Sequence, residues 1–179
     1  MNTNRRRFLA ASLAGTTGLV LSGAAVKQVA DSHEFDLAGL IEEVAAMPLA
    51  QLKNDGAWSV AQVFQHLAQS IDYAIDGYPQ LKSEAFRSTA GSAAFNVFGA
   101  IGAMRHPLDQ AIPGAPELDA DLAIEDAFVL LQNSAARFLA HKGELAPHFA
   151  YGDLTHRQYE NAHWLHIKNH LNAISVQSA

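Results

Sequence analysis

From about residue 36 onward, apolar residues recur at three- and four-residue intervals, and alternating apolar–polar runs are nearly absent. That period places side chains on one face of an α-helix. Leu37, Leu40, Ile41 and Val44 predict a short helix from Asp36 to about Met47, which Pro48 ends. Lys53-Asn54-Asp55-Gly56 reads as a turn. Ser59-Val60-Ala61-Gln62 is a capping-box pattern, in which the serine hydroxyl accepts from a free amide of the first turn. The helix it opens carries Val60, Val63, Phe64, Leu67 and Ile71 on one side and should reach about Asp76, where Gly77-Tyr78-Pro79 stops it. Leu81 to Met104 is also expected to be helical, although Gly91, Gly99 and Gly102 lower the propensity. The prolines and glycine between Arg105 and Pro116 force an irregular loop. Leu122, Ala123, Phe128, Leu131, Ala135 and Phe138 predict a helix from Asp119 to about Lys142, with Gly143 as its stop. Thr155-His156-Arg157-Gln158 repeats the capping box and opens a last helix to about Val176. These elements make an all-α bundle with one long crossover excursion.

The first thirty residues follow a different rule. Arg5-Arg6-Arg7-Phe8-Leu9 fits the twin-arginine pattern R-R-x-F-L, directly before an uncharged stretch from Phe8 to Val26. Ser12, Gly15, Thr16, Thr17, Gly18, Ser22 and Gly23 make that stretch only mildly hydrophobic. A membrane span needs roughly 20 strongly apolar residues, whereas a signal needs a shorter apolar region followed by small residues. Residues 1–30 therefore read as a removable signal, cut near Ser22-Gly23-Ala24 or after Ala30, and residues 31–179 as the functional domain. The expected partner is the twin-arginine translocase and the expected location the periplasm. An uncleaved N-terminal anchor is the alternative.

Composition narrows the function. Of 179 residues 49% are hydrophobic and 17% charged, a globular balance. There is no cysteine, which excludes disulfides, thiolate metal sites, a cysteine nucleophile and a lipoprotein anchor. Removing residues 1–30 takes away four basic groups and no acid, leaving 8 basic against 18 acidic, a net charge of −10. Such a surface repels phosphate backbones, so nucleic acid is not an expected partner. A small-molecule substrate is compatible with this composition, as is a homodimer.

Nine histidines are present, five of them between His148 and His170. His163, His166 and His170 fall within a stripe about 60° wide on the last helix, beside Tyr159, Ile167 and Ile174, so the stripe faces the core. The i, i+4 spacing of His166 and His170 lets two imidazoles reach one ion from adjacent turns. A third ligand must come from another element, and His66, beside the apolar seam of the second helix, is the candidate. Gln62, Ser70 and Tyr73 share its side of that helix and are expected to line a polar pocket. A single buried histidine is ordinarily a hydrogen-bonded core residue. Three along one seam favour an ion, because each unpaired buried polar group costs about 1–3 kcal/mol. His33, His141, His148 and His156 read as solvated surface residues, while His106 lies in the irregular loop and can face the site.

His66 together with His166-x-x-x-His170 resembles the DinB/YfiT-like superfamily of metal-binding four-helix bundles. Trp58-Ser59, His66-Leu67-Ala68-Gln69-Ser70-Ile71, Gly77-Tyr78-Pro79, Ile112-Pro113-Gly114-Ala115-Pro116, Gly152-Asp153-Leu154-Thr155 and His163-Trp164-Leu165-His166 are similar to an uncharacterised, often twin-arginine-exported family of unknown function within it. The resemblance implies an up-down-down-up bundle with a divalent metal on His66, His166 and His170, to which this chain adds a helical insertion between the second and third core helices. His163 lies outside that three-residue pattern and is a second-shell residue or extra ligand, and His106, from its place in the irregular loop, is a further candidate for either role. Known activities of the superfamily are thiol-dependent transfers and isomerisations. The inserted segment from Leu81 to Pro116 and the export signal depart from those members. Three neutral imidazoles suit a zinc-like or nickel-like ion with one open position. The expected function is a metal-dependent transferase, isomerase or hydrolase, with no Glu at the place a protease-like base occupies in H-E-x-x-H. A metal- or small-molecule-binding envelope protein and a structural bundle with an inactive site are the alternatives.

Overall fold

Both capping boxes form and set the starts of the two longest site-bearing helices. The computed structural model describes residues 23–177, so the twin-arginine motif and most of the uncharged stretch behind it lie outside the described residues. A helix covers residues 23–32 (α1), followed by α2 (Leu37–Ala45), α3 (Val60–Asp76), α4 (Glu84–Phe86), a π-helical turn (Arg87–Gly91), α5 (Ser92–Ile101), α6 (Ile124–Ala140) and α7 (His156–Leu171). Ser59 accepts from the amide of Gln62 and Gln62 returns a bond to the amide of Ser59, which satisfies two free ends of α3. Thr155 and Gln158 do the same for α7. Asp36 caps α2 through the amide of Gly39. Gly77, at φ 92°, ends α3 in a conformation that L side chains rarely adopt.

The core is built by α2, α3, α6 and α7. The α3–α6 pair is its largest contact, and α2 and α3 each pack on both α6 and α7. Leu37, Leu40, Ile41 and Val44 of α2 meet Val63, Phe64, Leu67 and Ile71 of α3 and Ala127, Phe128, Leu131 and Phe138 of α6 in one buried cluster. Phe64 and Phe128 lie 5.4 Å apart across the α3–α6 seam. Each large apolar side chain sealed there contributes about 1.5–3 kcal/mol.

The expected helices form with trimmed ends, and two features differ from the reading of the sequence. The last helix stops at Leu171, because residues 174–176 form a strand (β2, Ile174–Val176) that pairs antiparallel with β1 (Leu52–Asn54). Strands of three residues are too short for an alternating pattern to show. The third core helix, α6, starts at Ile124 and not at Asp119, because Gln65 of α3 exchanges two hydrogen bonds with the backbone of Asp119 and holds that segment against α3. In the crossover segment, Gly91 sits where the carbonyl of Ala150 presses on the π-turn, and a Cβ there would overlap that oxygen. α5 then packs on α7, and Gly99 on α5 receives the buried side chain of Ala30 from α1, which would be 2.9 Å from an added Cβ. Among the described residues, no helix is long and apolar enough to cross a membrane.

Candidate metal centre

His66 comes from the middle of α3, while His166 and His170 come from successive turns of α7. The i, i+4 spacing and the α3–α7 packing bring all three rings together. The Nε2 atoms of His66 and His170 each lie 3.2 Å from Nε2 of His166, and the three nitrogens fall within 4.8 Å of one another. His66 and His170 are buried, and His166 is half-buried because it borders a cavity. Trp58 covers the far side of His66 at 5.0 Å between ring centres.

Hydrogen bonding cannot fully satisfy this arrangement. A neutral imidazole offers at Nε2 either one hydrogen or one lone pair, so His166 Nε2 can complete a full-strength bond to one neighbour while the other shares or opposes it. A cation in the middle would serve all three lone pairs. The protonation states suit that use. Burial, then the field of His106, holds His66 down to about 4. Burial, then His66 and His106, holds His170 down to about 3. Burial and the surrounding histidines hold His166 well below the ordinary histidine range. All three are neutral at pH 7, the form that coordinates.

The cluster opens onto a cavity of about 220 Å³ lined by His66, His166, Ser70, His106, His148 and His163, with apolar walls from Met104, Ile112, Phe149 and Ala162. Lys82 borders it and, among the described residues, no Asp or Glu does. Of the three residues expected to line a pocket, Ser70 does so. Gln62 is instead consumed by the capping box at the start of α3. Tyr73 packs against Tyr78 beyond the cavity, 5.6 Å between ring centres.

The remaining histidines sort by packing. His106 brings its ring to 4.8 Å from that of His166 and 5.1 Å from that of His170. His163 borders the cavity but packs edge-on to Phe138 and stacks on Tyr159, and its buried Nε2 meets no partner. Burial, then the field of His156, holds it down to about 3. His148, expected in solvent, is buried, a correction with a local cause. Its Nδ1 accepts the amides of Ala150 and Tyr151, both at 3.1 Å, and its ring stacks on Tyr151, so the imidazole is the centre of its own turn. Gly152, at φ 82°, closes that turn by pairing with the His148 backbone. His33, His141 and His156 are half-buried, the last two with Nε2 on the backbone carbonyls of Glu144 and Phe138.

A family model described as "Protein of unknown function (DUF1569)" matches residues 29–177. No curated protein and no solved structure matches the chain.

Proposed function

We propose that this chain, which belongs to the DUF1569 family of unknown function, is an exported, divalent-metal-dependent enzyme built as a DinB-like bundle, with His66, His166 and His170 holding the ion. One observation carries the reading: three imidazoles from two helices, two buried and one half-buried, converge on the wall of a cavity. α3 and α6 run parallel, with Phe64 against Phe128, Asp72 against Ser134 and Asp76 against Arg137, which supports the up-down-down-up order with α4 and α5 as the insertion.

Nitrogen-only, neutral donors favour a borderline ion such as zinc or nickel over calcium or magnesium, which take oxygen ligands. An ion bound there supplies a Lewis acid and lowers the pKa of a bound water or thiol. The protein's own contribution is to keep three imidazoles neutral, to fix their directions through two packed helices, and to offer a small, mainly apolar space beside them. No described residue of the cavity lining is a carboxylate, so transfer or isomerisation of a small molecule fits better than protease-like hydrolysis. Burial of Ala30 against Gly99 favours signal cleavage near Ser22-Gly23-Ala24, at the start of α1, over cleavage after Ala30.

The test is metal content per chain, measured by elemental analysis on protein from its native compartment and on single variants. His66→Ala, His166→Ala and His170→Ala should each lose most of the ion. His163→Ala should weaken binding by no more than about 10–100-fold. Full occupancy in His66→Ala would detach α3 from the site and sink the three-ligand reading. Complete loss in His163→Ala would make that residue a ligand instead.

A further inference from the structure

The irregular loop between α5 and α6 is firmly tied down around one histidine. Met104 and Ile112 are both buried, on either side of His106. Farther along, Gln69 of α3 donates to the carbonyl of Pro116 at 3.2 Å, and Gln65 exchanges bonds with Asp119. The loop is therefore anchored to the helix that carries His66.

Within it, His106 Nδ1 lies 2.7 Å from the carbonyl oxygen of Pro107. A carbonyl only accepts, so Nδ1 bears the hydrogen and Nε2 of the neutral ring keeps its lone pair. That Nε2 is buried and has no partner among the described residues, a state that is unfavourable unless something occupies it. The ring itself stands as near to His166 and His170, at 4.8 and 5.1 Å, as those two stand to each other, at 4.9 Å. An imidazole whose other nitrogen is fixed on a backbone carbonyl is the usual form of a metal-ligating histidine.

We propose that His106 is a fourth nitrogen donor to the ion, so that the resting site is a closed set of four imidazoles, three from helices and one from a loop. This rests on the three-histidine reading above. His106 lies outside the group whose nitrogens are all within 4.8 Å, so binding the ion draws its side chain inward while the anchors on either side hold. The same residue borders the cavity, and a substrate entering there reaches the ion by displacing it. The helix-borne ligands stay in place while the loop-borne one exchanges.

Cobalt(II) alone is the probe, added to chelated wild type, His106→Ala and His106→Phe, the last keeping ring packing without a donor. Wild type should give the strong visible absorption of a four-coordinate nitrogen site and ignore added imidazole. Both variants should bind cobalt more than about 10-fold more weakly, the lower bound of an indirect contact, and show a weaker, shifted spectrum. Free imidazole should restore the wild-type spectrum in His106→Ala and not in His106→Phe, where the ring fills the space. Unchanged spectra and affinities in both variants overturn the assignment of His106 and leave the helix histidines as the site. If wild type takes up no cobalt, or His166→Ala takes it up unchanged, the three-histidine reading fails and this one with it.

Discussion

Acidifying the metal-free protein tests the burial of its histidines directly. His66 is held to about 4, and His163 and His170 to about 3, in each case chiefly by burial. His148 and His166 are also held well below the ordinary range, again chiefly by burial. In the unfolded chain each returns to about 6.5. The folded values are the lower ones, so the unfolded state binds more protons between them and 6.5, and stability falls as pH falls through that window. Above 6.5 nothing is lost. At pH 5 each group has moved about 1.5 pH units below its unfolded pKa while staying neutral in the fold, which costs about 2 kcal/mol at 1.36 kcal/mol per unit. Five such groups amount to about 10 kcal/mol as an upper bound, against a total stability of about 5–15 kcal/mol for a domain.

The chelated protein should therefore lose stability steeply between about pH 6.5 and 5, before carboxylates with ordinary pKa values near 4 begin to titrate. Urea denaturation followed by far-ultraviolet circular dichroism at a series of pH values measures this, and its slope counts the protons taken up. Stability that stays flat from pH 7 to pH 5 would refute the reasoning. The depressed values also alter an expectation drawn from free imidazole, that metal binding declines below about pH 6. In the folded protein protons do not compete for the ligands until near pH 4, so the ion should leave in the same step as unfolding.

Two other perturbations address the scaffold and the leader. Gly91→Ala puts a methyl group into the carbonyl of Ala150, a backbone atom that cannot turn aside; it should destabilise by about 1–3 kcal/mol or more, seen as a lower urea midpoint, and an unchanged midpoint would mean that the two segments do not touch. Replacing Arg5 and Arg6 with Lys should leave the precursor in the cytoplasm, because the pathway reads the guanidinium pair as an address; fractionation that finds normal amounts in the envelope would remove the export reading.

The parts legible in the sequence were those fixed by residues within one turn of each other. Ser59 with Gln62, Thr155 with Gln158, and Gly77 act through neighbours three or four positions away, and the helix ends they mark fall where expected. The start of α6 and the end of α7 depend on partners far along the chain, Gln65 in one case and β1 in the other, and no local pattern reports them. Gln62 is instructive because the sequence held the answer twice over. The motif that made it a cap had already used its side-chain oxygen, so it had none left for a pocket.

Among the histidines, helical spacing gave direction around the axis but not what each ring meets. His163 shares a stripe with His166 and His170, yet it stands about 10 Å from His170 along the helix at 1.5 Å per residue. There the ring meets Phe138 of α6 and stacks on Tyr159 one turn earlier on α7, and among the described residues it meets no imidazole from α3. His106 is the reverse case. No periodicity links it to α7, and its place beside His166 and His170 comes from Met104 and Ile112 sinking into the interior on either side of it. An apolar residue two positions before and another six after a loop histidine were the visible signal. Their burial turns an irregular segment into a wall of the site, and their spacing leaves the short stretch between them free to carry a side chain inward.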